Sequence, residues 1–268
     1  MAQLQKAKNF TTIAANMHDD DFDDDPLFPP IFDSRISTSW FRRASRSFLG
    51  DPASEQGLWY PPARRTFHMP TQGNYEHRFP MGAVVHSTDG RSKKGDIDAE
   101  NTIPDGITHN YAYFCISSTG TVYQSFLLDR WGSHCGPTSA LGLGTSLARK
   151  LVGIEVCAAG IVHKSGNFYE PEDWDEKFTE AEVHYSDEIE NVRKAGYYVR
   201  FTAAQETALT NLILWMHKTK PDIFKLENIY GHDEVATPDG RKNDPGAAMS
   251  VFMNGYRQKL KDTATAVS

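Results

Sequence analysis

Only three cysteines occur in 268 residues, Cys115, Cys135 and Cys157, and no pair has Cys-x-x-Cys spacing. An odd, widely spaced set argues against a disulfide framework and leaves small buried hydrophobes as the expectation. No run approaches the roughly 20 apolar residues of a membrane span. The opening Met1-Ala2-Gln3-Leu4-Gln5-Lys6 lacks the apolar run and cleavage site of a secretory signal. Basic excess is also missing: 28 Lys and Arg stand against 35 Asp and Glu, a net charge of −7. Six of those negatives are Asp19, Asp20, Asp21, Asp23, Asp24 and Asp25, so the rest is close to neutral and nucleic acid is not an expected partner. What is present, 39% hydrophobic and 24% charged residues, is the composition of an ordinary globular protein with one substantial core.

The first 78 residues read differently from the remainder. The acidic run leads into Pro26, Pro29 and Pro30, then an arginine-bearing stretch (Arg35, Arg42, Arg43, Arg46) with interspersed Phe28, Trp40, Phe48 and Trp59. So many aromatics do not fit a plain disordered tail. Two readings stay open, an extended arm packed over the main domain and a docking segment for a protein partner or particle.

From about residue 79 the pattern is regular. Ala83-Val84-Val85 fits a short buried strand ending at His86. Tyr111–Ile116 and Thr121–Phe126 flank Ser117-Ser118-Thr119-Gly120 as a hairpin, and Leu151–Val156 is a further buried strand. Thr202 with Gln205 three residues on forms a capping box. It opens a helix with Ala208, Leu209, Leu212, Ile213 and Met216 at helical spacing, stopping before Pro221. A last helix is expected from about Gly246 to Leu260. This order suggests one sheet covered by helices. Leu141-Gly142-Leu143-Gly144-Thr145 is glycine-rich but lacks the spacing of a phosphate loop.

Chemistry concentrates in Gly231–Gly246, where His232, Lys242 and Asp244 share one turn-rich loop before the expected helix. Imidazole and carboxylate suit a zinc ion, and catalytic zinc sites keep three protein ligands. His86, at a strand end where Ser87-Thr88-Asp89-Gly90 must turn outward, can point into a cleft. Each of these residues alone has a plain structural reading; their combination is what points to a site. Glu155 adds to it, as a carboxylate inside an apolar strand is costly unless paired or functional. Burial raises its pKa, which suits a general base, while pairing with Arg or Lys is the structural alternative.

The series Val84-Val85-His86-Ser87-Thr88, Gly120-Thr121-Val122-Tyr123-Gln124, Trp131-Gly132-Ser133-His134-Cys135-Gly136, Gly153-Ile154-Glu155-Val156 and the His232–Gly246 loop resembles, in that order, the zinc N-acetylmuramoyl-L-alanine amidases. That family includes phage lysozyme-type amidases, anhydro-muropeptide (AmpD-like) amidases and peptidoglycan recognition proteins. Each motif is weak; five in order are specific. The resemblance covers about residues 80–260 and implies an α/β fold with a single mixed central sheet flanked by helices. It divides the chain into an arm (1–78) and a zinc amidase domain (79–262) with an insertion at 158–201.

By position, the resemblance implies that His86, His232 and Asp244 hold one Zn²⁺, with Glu155 and Lys242 catalytic. His134, Tyr111 and Thr88 are implied at the substrate. Ala112 stands where the phage branch has a tyrosine, which favours the glutamate-using branch. The implied reaction is hydrolysis of the amide between N-acetylmuramic acid and L-alanine in peptidoglycan or muropeptides. Alternatives are a non-catalytic peptidoglycan-binding module and an amidase carried by a phage or secretion particle. Without a leader, synthesis in the cytoplasm is expected, with access to the cell wall only by lysis, secretion or injection. The loop is two residues longer than the family pattern at Thr237-Pro238-Asp239, which is expected to bulge outward.

Overall fold

A computed structural model describes residues 57–187 and 194–266. The acidic run and most of the arm lie outside the described residues. In chain order the strands are β1 (Gly73–Asn74), β2 (Ala83–Ser87), β3 (Tyr113–Ile116), β4 (Val122–Tyr123), β5 (Arg130–Trp131), β6 (Ser139–Ala140) and β7 (Gly144–Thr145). They continue as β8 (Val152–Val156), β9 (Ile161–Ser165), β10 (Phe168–Glu170), β11 (Val183–Ser186), β12 (Gly196–Val199) and β13 (Ile229–Gly231). The helices are α1 (Asp96–Thr108), α2 (Ala203–Thr219), α3 (His232–Val235) and α4 (Met253–Ala266).

The central sheet has the order β13-β2-β8-β3-β4, parallel except for β4, which pairs antiparallel with β3. Side chains alternate between its faces. Val152, Ile154 and Val156 of β8 join Ala83 and Val85 of β2 in the main core with Leu209, Leu212, Ile213 and Met216 of α2. Val84, on the opposite face of β2, packs with Leu147, Leu151 and Val235. His86 shares the face of Val84, and Glu155 shares the face of Gly153 two residues earlier. The two are register partners on neighbouring strands. Buried on both faces, such strands read as near-continuous apolar runs, which is why β2 and β8 stand out in the sequence.

Residues 57–78 pack over this domain. Tyr60, Met69 and Tyr75 are buried, and Gly73–Asn74 pairs with Arg130–Trp131. Gln124 ties this segment down: it accepts from Tyr60 N at 2.7 Å and donates to the Leu58 carbonyl at 2.7 Å. The segment 158–201 carries a second, antiparallel sheet, β10-β9-β12-β11, with its own small core of Val162, Tyr169, Phe178, Val183 and Val199.

Two differences from the sequence reading have clear causes. Helix α1 was not anticipated, because Pro104 and Gly106 lie inside it and only Ala99 and Ile103 supply buried apolar side chains. Gly106 is needed there: a Cβ would lie 2.1 Å from the Tyr113 hydroxyl. The last helix starts at Met253, not near Gly246. Gly246 has φ +54, and the stretch after it is held as a loop by Phe201 N donating to the Ala248 carbonyl at 2.7 Å. The hairpin and the capped helix α2 form as expected, Thr202 Oγ1 accepting from Gln205 N at 3.1 Å. In the glycine-rich stretch, residues 141–143 are the turn between β6 and β7, and Gly144–Thr145 is β7. No helix among the described residues is long and apolar enough to cross a membrane.

Candidate metal centre and active site

At the C-terminal end of β2, His86 meets His232 from the start of α3 and Asp244 from the loop beyond it. Three atoms, His86 Nδ1, His232 Nδ1 and Asp244 Oδ2, form a triangle with sides of 3.0, 3.1 and 3.1 Å. All three residues are buried. The loop is closed on itself by Asp233 N donating to the Asp244 carbonyl at 2.7 Å, which fixes Asp244 beside His232 despite a separation of 12 positions in the chain. Thr237, Pro238 and Asp239 are exposed, so the extra length of the loop points away from the cluster. Arg241 holds that bulge: its Nε donates to the Thr237 carbonyl at 3.1 Å and its Nη2 to the Pro137 carbonyl at 2.8 Å.

The donor set fits a divalent zinc ion. Ligand atoms about 2.0–2.1 Å from zinc at tetrahedral angles lie roughly 3.3 Å apart, close to the observed triangle. His232 Nε2 sits 2.8 Å from the Cys135 carbonyl. A carbonyl only accepts, so Nε2 carries the hydrogen and Nδ1 offers its lone pair to the cluster. Burial, then the neighbouring His232, push the His86 pKa down to about 4, although Asp244 favours the protonated ring, so the ring is neutral at pH 7. Burial works against ionised Asp244, but the two imidazoles beside it win and hold it below the usual carboxylate range. These are the protonation states a zinc ligand needs.

Glu155 borders this cluster, with Oε1 3.9 Å from His86 Nδ1. Its side chain is 16% exposed, and its Oε2 is buried with no hydrogen-bond partner. Burial, followed by the charges of Asp244 and Asp89, raises its pKa well above the ordinary value, and Lys242 opposes that shift. Lys242 is half-buried, and its charge is felt by His86, Asp89 and Glu155 alike, which places it at the same centre.

The remaining sequence candidates are distributed differently. His134 is 9% exposed and has both ring nitrogens within hydrogen-bonding distance of protein atoms: Nδ1 is 3.2 Å from His86 Nε2, and Nε2 is 3.0 Å from the Leu151 carbonyl. It meets the Nε2 edge of His86, the nitrogen opposite the one that faces His232 and Asp244. Thr88 binds β2 to the segment after β8, its hydroxyl 3.4 Å from the Ala158 carbonyl and 3.3 Å from Ala158 N. Tyr111 is half-buried against the core and bridges to Ser133. It lies four residues before Cys115, the register partner of Glu155, so it is roughly 13 Å down the strand from the cluster. The three cysteines are buried and unbridged.

Asp89 was not singled out from the sequence. Burial, then the charge of Asp244, push it up to about 7, although Ser87 Oγ donates to its Oδ1 at 2.8 Å. Its left-handed backbone, φ 45, was the available signal, at a turn that the sequence already placed after His86. Asp89 lines a cavity of about 180 Å³ with Ser87, Gly160, Trp174, Tyr198 and Asn243, so the second sheet forms one wall of a space whose lining includes the chain neighbours of His86 and Asp244. A larger, open cleft of about 730 Å³ lies elsewhere, between the Tyr60–Arg64 segment and the start of α2, and includes none of the cluster.

Comparison with curated proteins gives no match. Among solved structures, a selenomethionine AmpD derivative aligns at 21% identity over 76% of this chain and 97% of its own, with a TM-score of 0.49. The Escherichia coli N-acetylmuramyl-L-alanine amidase AmiD, solved with anhydro-N-acetylmuramic acid-L-Ala-D-γ-Glu-L-Lys, aligns at 18% over 71% of this chain and 60% of its own, with a TM-score of 0.45. The endolysin N-acetylmuramoyl-L-alanine amidase LysCS from Clostridium intestinale aligns at 16% over 78% and 98%, with a TM-score of 0.40. Residues 76–247 match the Amidase_2 family, N-acetylmuramoyl-L-alanine amidase. That span exceeds half of the chain and runs from before β2 to beyond Asp244, so this chain belongs to the N-acetylmuramoyl-L-alanine amidase family.

Proposed function

We propose that the protein hydrolyses the amide joining the lactyl group of N-acetylmuramic acid to L-alanine, using one zinc ion held by His86, His232 and Asp244. The observation that carries this reading is the buried 3.0–3.1 Å triangle of two imidazole nitrogens and a carboxylate oxygen, with an unpartnered carboxylate at its border. Zinc bound there supplies Lewis acidity, polarising a carbonyl and lowering the pKa of a coordinated water towards about 7.

Glu155 is the general base. It takes the proton of the water that adds to the lactyl carbonyl carbon, then returns it to the alanine nitrogen as the C–N bond breaks. Its buried setting raises its proton affinity, which suits a group that must accept and then donate within one turnover. Lys242 places a positive charge where the carbonyl oxygen becomes negative. The products are a lactyl carboxylate and a peptide with a free N-terminal alanine. The cavity lined by Asp89, Trp174 and Tyr198, which also includes the chain neighbours Ser87 and Asn243 of two cluster residues, is the space we assign to the peptide.

Digestion of purified sacculi and of soluble anhydro-muropeptides, with products weighed by mass spectrometry, tests the reaction and shows which form is used. Glu155→Ala should retain zinc and release no peptide. Wild-type release by that variant would remove Glu155 from the mechanism.

A further inference from the structure

His134 has a role that its sequence motif does not disclose. Its Nε2 faces the Leu151 carbonyl at 3.0 Å. Because that oxygen can only accept, Nε2 of neutral His134 carries the hydrogen and Nδ1 is bare. The bare Nδ1 faces His86 Nε2 at 3.2 Å, so the hydrogen between the two rings must belong to His86 Nε2. His86 then has no hydrogen on Nδ1, the atom turned toward His232 and Asp244.

The alternative state is specific. With its hydrogen on Nδ1, His86 would donate to Asp244 Oδ2, 3.0 Å away, and the two would close into a hydrogen-bonded pair. That pair has no lone pair left on Nδ1 for a cation. We propose that His134 is a positioning residue that locks His86 in the Nε2–H form and so keeps the cluster open to metal. Leu151 is the fixed end of this relay, at the entry to β8, the strand that also carries Glu155. The ring stands edge-on to His86, with an interplanar angle of 87°.

Gly153 makes the arrangement possible. A Cβ at that position would lie 2.6 Å from His134 Cγ and 2.8 Å from its Nδ1. The glycine before Ile154-Glu155 is therefore the notch in β8 that seats the ring. Alanine there should disturb the relay without changing any polar group.

The inference rests on the metal-site reading above, and its test separates the two. Long-range ¹H–¹⁵N correlation spectra of metal-free protein show which nitrogen of His86 carries the hydrogen. Nε2–H is expected in wild type and in His134→Asn, whose side-chain oxygen can replace the Nδ1 acceptor. A shift toward Nδ1–H is expected in His134→Leu and Gly153→Ala. Competition with a chromophoric chelator should then show zinc binding weakened about 10–100-fold in His134→Leu and Gly153→Ala, and largely recovered in His134→Asn. Saturating zinc should restore most of the turnover lost in His134→Leu, with KM unchanged. A residue lining the substrate groove would instead raise KM and leave zinc affinity alone. Nδ1–H on His86 in wild type overturns the proposal, as does wild-type tautomer and affinity in folded Gly153→Ala. Failure of wild type to bind zinc would overturn the metal reading, while the spectra would still decide the tautomer.

Discussion

Replacing Glu155 with glutamine should stabilise the metal-free protein, and increasingly so as the pH rises. The folded protein raises the pKa of Glu155 well above its ordinary 4.5 by burying it and surrounding it with Asp244 and Asp89, while Oε2 finds no partner. Between pH 4.5 and the folded pKa, the unfolded chain releases this proton and the folded chain keeps it. A carboxyl shifted upward therefore contributes stability that is fully present below pH 4.5 and lost as the pH rises. The loss is about 1.4 kcal/mol per pH unit until the folded pKa is reached. Glutamine has nearly the same shape and no proton to lose. For a domain of this size about 1 kcal/mol moves Tm by roughly 2–4 °C, so the advantage of Glu155→Gln should grow by about 3–6 °C per pH unit. Calorimetric scans of both proteins in excess chelator at pH 5, 6 and 7 provide the measurement. Titration of His86 and His134 is common to both and largely cancels in the difference. A Tm difference that stays constant, or turns toward wild type with rising pH, would refute the claim that Glu155 is held in an unfavourable, functionally prepared environment.

Other substitutions test separate parts of the account. Asp244→Asn should bind zinc at least 100-fold more weakly, read by elemental analysis after dialysis, because a ligand is lost and not merely its support. Lys242→Met should keep zinc and lower kcat by about 10²–10³, as expected for removing one stabiliser of the developing negative charge. Thr202→Ala removes the side-chain acceptor for Gln205 N at the start of α2 and should cost about 1 kcal/mol in thermal unfolding, with zinc affinity unchanged.

The parts of the molecule legible from sequence were those governed by local rules. Ala83–Val85 and Val152–Val156 are strands whose apolar residues are all buried, so the polar side chains of His86 and Glu155 stand out against them. Thr202 and Gln205 announce α2 through their own hydrogen bonds. Helix α1 was hidden because Pro104 and Gly106 run against helical preference, and packing under Tyr113 overrides that preference. The delayed start of α4 follows from the left-handed Gly246 and from the backbone bond between Ala248 and Phe201, far away in the sequence.

The site divides in the same way. His86, His232 and Asp244 share a centre because β2 and β13 are adjacent parallel strands, a pairing that the combination of a strand-end histidine with the His232–Asp244 loop could suggest but not show. The surroundings of His134 are set by long-range contacts in the same way. Its motif identifies the residue, but only the fold shows Leu151 and His86 on either side of its ring and Gly153 beneath it. Asp89 needed the strained turn and the second sheet to be seen at all.

The most direct test of the account is the product of zinc-loaded wild-type protein on a purified muropeptide, resolved by mass. Intact sugar bearing a free lactyl carboxylate, together with a peptide beginning at L-alanine, is the predicted outcome, abolished by chelator and by Glu155→Ala. Zinc bound at the cluster with the muramyl–alanine amide left whole, or cleavage at any other bond, would contradict it.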